Sequence, residues 1–157
     1  MERAAKNRLA WAVGGTAIGT ALATAIIIWR PWQSEFSADA TNTGLVAEGR
    51  AVYAARCASC HGKELEGQAN WRERMPNGRL PAPPHDASGH TWHHSDRQLF
   101  EITRNGVAGV VPGYESDMLA FKDVLPDRQI RAVLAFIKSS WPEEVRMRQQ
   151  RLNRKAE

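Results

Sequence analysis

Leu9 to Trp29 reads LAWAVGGTAIGTALATAIIIW, 21 residues without a charged side chain. As an α-helix this run extends roughly 32 Å, enough to cross a hydrocarbon core of about 30 Å. Arg3, Lys6 and Arg8 precede it, and Arg30 is the one base between Trp29 and Arg50. That bias predicts residues 1–8 on the cytoplasmic side and the remainder across the membrane. Trp11, Trp29 and Trp32 stand near the two ends of the span, where aromatic rings anchor at the interface, and Pro31 ends the helix. A cleaved signal peptide is the competing reading, with Ala38-Asp39-Ala40 as its cleavage motif. The run exceeds a signal core of about 7–15 residues and the motif lies well beyond it, which favours an uncleaved anchor over residues 9–29.

Past the span the pattern changes. Residues 30–42 read as a polar linker, residues 43–141 as one helical domain, and residues 142–157 as a basic tail. Ser95-Asp96-Arg97-Gln98 has the form of a capping box, followed by Leu99, Phe100 and Ile102 as an apolar stripe that Asn105-Gly106 ends. QIRAVLAFIKSSW, from Gln129 to Trp141, is a second amphipathic stretch. The tail carries Arg146, Arg148, Arg151, Arg154 and Lys155 and reads as a solvated charged helix, with docking to an acidic partner or lipid headgroups as the sharper alternative.

The chain has 157 residues, length for about one ordinary domain. Its net charge is +4, but residues 41–140 hold twelve bases and eleven acids, so the excess belongs to the two ends. This distribution argues against a nucleic-acid-binding face. Only two cysteines are present, which excludes a disulfide-rich scaffold and any all-cysteine zinc or iron–sulfur site held by one chain.

Both cysteines fall in Cys57-Ala58-Ser59-Cys60-His61, a CxxCH motif. On a helix, positions three apart share a face, so both thiols reach one flat ligand. The adjacent histidine projects toward the same object. This is the arrangement needed to bond two haem vinyl groups as thioethers and give iron an imidazole ligand. A thioredoxin-like dithiol expects a βαβ context, and no strand pattern surrounds the motif. A zinc site drawing on His90 and His94 needs a spacing from Cys60 too long for a zinc finger.

From about Gly44 to Trp141 the chain resembles a class I, monohaem bacterial cytochrome c. Gly49 and Tyr53 match the family's glycine and aromatic before CxxCH, and Phe136 matches the aromatic of its last helix. The resemblance implies an all-α cytochrome c fold of about four helices around one covalent haem. Cys57 and Cys60 would hold the porphyrin and His61 would ligate iron. Met75, Met118 and Met147 are the candidates for the other axial position. Met118 stands where the family places its ligand, in MLAF against the family's MPAF, with Leu119 replacing the proline. In relatives a proline carbonyl accepts the ring N–H of the ligating histidine. Pro81, Pro83 and Pro84 are candidates here, and Pro83, His90 and Trp92 are carried as second-shell or propionate-binding residues.

His85, His90, His93 and His94 crowd into ten residues and raise the alternative of a second metal site, copper or zinc. The expected whole is a membrane-anchored carrier facing the periplasm of a bacterial inner membrane. It would pass single electrons by Fe(III)/Fe(II) cycling, without substrate turnover. A quinol-oxidising complex, a dehydrogenase or a terminal oxidase is the expected partner, with lipid around the anchor. The rival readings are an obligate haem subunit of a larger membrane oxidoreductase and a haem-based sensor or peroxidase.

Overall fold

The computed structural model describes residues 35–156. Residues 1–8 and the apolar run 9–29 lie outside the described residues. Among the described residues no helix is long and apolar enough to cross a membrane. Every regular element there is helical: α1 (Thr43–Arg56), the one-turn α2 (Ala58–His61), a 3-10 turn (Thr91–His93), α3 (Asp96–Asn105), the one-turn α4 (Val107–Val110), α5 (Asp127–Ser139) and α6 (Glu143–Ala156).

Local sequence sets the boundaries. The Asn42 side chain accepts the Leu45 N–H at 3.0 Å and starts α1. The capping box forms as expected: Ser95 and Gln98 satisfy each other's backbone N–H groups at the start of α3. Gly106, at φ 73°, ends α3. Pro126 precedes α5, where its fixed φ suits a helix entrance.

The core is the crossing of α1 and α5. Ile130, Val133, Leu134, Ile137 and Trp141 recur at helical spacing and are all buried. Burying each such side chain contributes about 1.5–3 kcal/mol. Gly49 lets the helices touch: a Cβ there would stand 1.9 Å from the Ala132 carbonyl oxygen. Next to it Phe136 packs on Tyr53 with ring centroids 5.3 Å apart. The resemblance pointed to these positions, and the structure supplies the backbone contact behind them.

A second seam is polar. Asp96 and Lys138 are both buried and pair at 2.6 Å and 2.8 Å through the two carboxylate oxygens. The same carboxylate accepts the Ala38 N–H at 3.1 Å and the Gln149 amide at 2.7 Å. Asn153 accepts the Asp96 N–H at 2.7 Å. One carboxylate thus joins the segment before α1 to α3, α5 and α6. Such a pair is stable only because hydrogen bonds satisfy its remaining lone pairs.

This seam reaches past residues 43–141 at both ends. The linker at 30–42 is folded from Glu35 onward: Phe36 stacks edge-on against Phe100 at 5.3 Å and Ala38 is buried. The tail at 142–157 is helix α6, which docks through Val145 and Gln149 rather than lying wholly in solvent. Four long helices result, but the fourth comes from the expected tail.

Candidate functional site

The CxxCH motif begins where α1 stops. The Cys57 N–H still donates to Tyr53 at 2.9 Å, and the Cys60 and His61 N–H groups then turn back to the Cys57 carbonyl at 3.1 Å and 2.9 Å. This single turn keeps Cys57, Cys60 and His61 within one short α2 arc. Gly62 follows at φ 81°, a left-handed conformation that favours glycine. The buried Tyr53 hydroxyl donates to the Gly62 carbonyl at 2.9 Å and fixes the arc to α1. Neither thiol forms a disulfide.

The His61 ring is oriented by the chain. Its Nδ1–H donates to the Pro83 carbonyl at 2.8 Å. A carbonyl only accepts, so the proton belongs on Nδ1 and Nε2 keeps its lone pair for a metal. Of the three prolines, Pro83 takes this place because segments 65–68 and 82–85 run against each other. Gln68 N–H donates to Ala82 at 2.9 Å, and His85 N–H donates to Leu65 at 2.8 Å. At Gly67, φ 69°, a Cβ would lie 2.7 Å from the Pro83 carbonyl carbon. Burial lowers the His61 pKa, with the Pro83 hydrogen bond opposing it, and so favours the neutral, ligating imidazole. Burial, with Cys60 beside it, pushes the Cys57 thiol up to about 11. That is the reverse of the depressed thiol a redox dithiol uses.

Met118 lies half-buried on the segment between α4 and α5. Its N–H donates to Ser116 Oγ at 3.1 Å, and Phe121 N–H donates to Arg104 at 3.1 Å, tying this segment to the end of α3. Val110, Val111, Leu119 and Val124, on the same stretch, are exposed. Met75 sits half-buried in a tight turn closed by Arg79 and Gly78, and Met147 is exposed on α6. Two thiols one turn apart and an imidazole with its outer nitrogen available fit a covalently held haem.

The four histidines stay near one another, with the His90 and His94 rings edge-on at 5.4 Å. His90 is exposed and stacks on Trp71 at 5.6 Å, while His93 stacks on Trp92 at 3.7 Å. Among the described residues no three ligating side chains converge to hold an ion. The Trp92 indole N–H donates to the Ala87 carbonyl at 3.3 Å, so the structure engages it within its own loop.

His85 has a role the sequence did not reveal. Its ring stacks on His61 at 4.0 Å, its Nδ1 lies 2.9 Å from Thr91 Oγ1, and its carbonyl accepts the Trp141 indole N–H at 2.7 Å. Burial, and then the neighbouring His61 and His90, hold its pKa well below the usual value, so it packs as a neutral ring. The signal was its place two residues after Pro83, which became meaningful only once that carbonyl was assigned.

A family model described as cytochrome c oxidase, cbb3-type, subunit III matches residues 44–137, more than half of the chain. No curated protein and no solved structure matches the chain. The matched region carries the α1–α5 crossing, CxxCH, Pro83 and Met118. The chain therefore belongs to the family of cytochrome c oxidase, cbb3-type, subunit III, and residues 44–137 form a c-type cytochrome domain.

Proposed function

We infer that the protein is a one-electron relay anchored in a bacterial inner membrane, its domain facing the periplasm. The observation that carries the relay is the His61 Nδ1–H bond to Pro83, which turns a histidine beside two free thiols into an oriented metal ligand. Haem c, when bound, supplies a reversible one-electron iron couple. Cys57 and Cys60 would hold the porphyrin as thioethers, and His61 and Met118 would ligate its iron.

The anchor reading is supported by the uncharged run at 9–29 and the bases before it. Tethering raises the effective concentration of the domain near membrane-bound donors and acceptors. A quinol-oxidising complex, a periplasmic dehydrogenase or a terminal oxidase supplies the partner chemistry. The family's printed description favours a second reading, in which the chain is a fixed haem subunit of an oxidase complex. Co-purification of an intact complex in mild detergent distinguishes that subunit from a mobile carrier.

Redox titration of the full-length holoprotein tests the ligand set. A single one-electron wave is expected, with a weak red methionine-to-iron charge-transfer band in the oxidised state. The band is lost in Met118→Ala and kept in Met75→Ala. Rapid CO binding by the unaltered protein, with no such band, overturns the relay in favour of a sensor or peroxidase.

A further inference from the structure

Helix α6 presents two different faces. Val145 and Gln149 point inward and are buried. Arg148, Arg151, Arg154 and Lys155 are exposed, with Met147 exposed among them. Among the described residues no carboxylate lies within 4.0 Å of any of these four cations. Glu143 and Glu144 occupy the first turn, so the positive charge gathers over the later turns.

Along the sequence, the unit that carries this face is joined directly to the apolar run. That run ends at Trp29 and the folded unit begins at Glu35. The five intervening residues span at most roughly 17 Å when extended. At the entry, Ala38 N–H bonds Asp96, and Asp96 accepts from Gln149 on the inner face of α6. Arg97 lies over the Phe36 ring at 5.5 Å, adding a cation at the entry, with Glu35 as the exposed acid there.

We propose that the exposed basic face of α6 binds anionic lipid headgroups and so sets the orientation of the cytochrome domain on its membrane. The inference rests on the anchored reading above. Clustered bases beside a membrane span are drawn to an anionic surface, and the tether makes weak individual contacts sufficient. Met147 adds an apolar side chain able to enter the interface. The Asp96 seam keeps α6 fixed to the domain, so headgroup contact is transmitted as a preferred tilt rather than absorbed by a loose tail.

The test uses full-length holoprotein in nanodiscs, spin-labelled through Met147→Cys, with accessibility read by a water-soluble nickel relaxant. Moving from phosphatidylcholine discs to discs containing phosphatidylglycerol is expected to lower accessibility about threefold or more. About 0.5 M NaCl restores it, as screening requires. The combined Arg148→Gln, Arg151→Gln, Arg154→Gln and Lys155→Gln variant shows no lipid dependence. Equal accessibility on both discs overturns the proposal. Protection by soluble polyglutamate without protection by anionic discs also overturns it and assigns the face to an acidic protein. Release of the chain from neutral discs overturns the anchor itself, whereas retention with equal accessibility overturns only the α6 assignment.

Discussion

The two seams of the domain are built from opposite materials. Where α1 crosses α5, two backbones touch at Gly49 and apolar rings fill the flanks. Where Asp96 meets Lys138, a buried ion pair collects hydrogen bonds from Ala38 and Gln149, and Asn153 adds one at the Asp96 backbone. The apolar seam lies inside the family match at 44–137, and it positions CxxCH through Tyr53. The polar seam draws Ala38, Lys138, Gln149 and Asn153 from outside that match. The difference separates a haem-holding core from a clasp that extends the core into segments resembling linker and tail.

Breaking the clasp at its charge gives the largest expected effect. Lys138→Met leaves a buried carboxylate without its cation and should cost about 3–5 kcal/mol in denaturant unfolding of the holoprotein. Adding Asp96→Asn should recover most of that loss, because the uncompensated charge is gone. A cost below about 1 kcal/mol for the single variant would reduce the clasp to an ordinary surface pair.

The apolar seam is probed by Gly49→Ala. The added Cβ meets the Ala132 backbone carbonyl, which cannot rotate away, so the helices must separate. The expected loss is about 2–3 kcal/mol. A thermal midpoint within error of the unaltered protein contradicts the close crossing.

Gln149→Ala sharpens the comparison at the α6 side. It removes the amide that donates to Asp96 and to the His94 carbonyl, and should cost about 1–3 kcal/mol. Faster amide exchange in α6 than in α5 should accompany it, whereas uniform exchange would mean that α6 never depended on the clasp.

The smallest effect sits at the edge of the clasp. Hydrogen bonds from the Thr41 hydroxyl and the Thr41 N–H hold the Asp39 carboxyl below its ordinary value of 3.8. A lowered folded-state pKa gives stability that is full above the unfolded value and fades as pH falls through the folded one. Asp39→Asn should therefore cost about 0.5 kcal/mol at neutral pH and nothing in strong acid. A constant difference across pH contradicts the carboxylate's part.

How far the sequence disclosed this architecture follows the same division. CxxCH is local chemistry at fixed spacing, and the family resemblance marked Gly49, Tyr53 and Phe136, so motif and crossing were readable. Ser95 and Gln98 declared the start of α3 because a capping box is local too. The clasp was hidden because its bonded partners lie up to 58 positions apart and one of them, Ala38, contributes only its backbone N–H. Lys138 did interrupt an apolar stripe, four residues after Leu134, and that break in period was the available sign. Arg-rich α6 read as solvent-facing because Gln149 and Asn153 acquire meaning only beside Asp96. Pro83 was one of three equivalent prolines until Gly67 brought its carbonyl to His61.

The central claim is that Cys57, Cys60 and His61 form one covalent haem site. Intact-mass analysis of the full-length chain, produced in a host with cytochrome c maturation machinery, tests it most directly. The account predicts a mass increase of a single haem, mapped to the peptide carrying Cys57 and Cys60 and abolished by Cys57→Ala with Cys60→Ala. A chain that matures without added haem, or with a disulfide between Cys57 and Cys60, would contradict it.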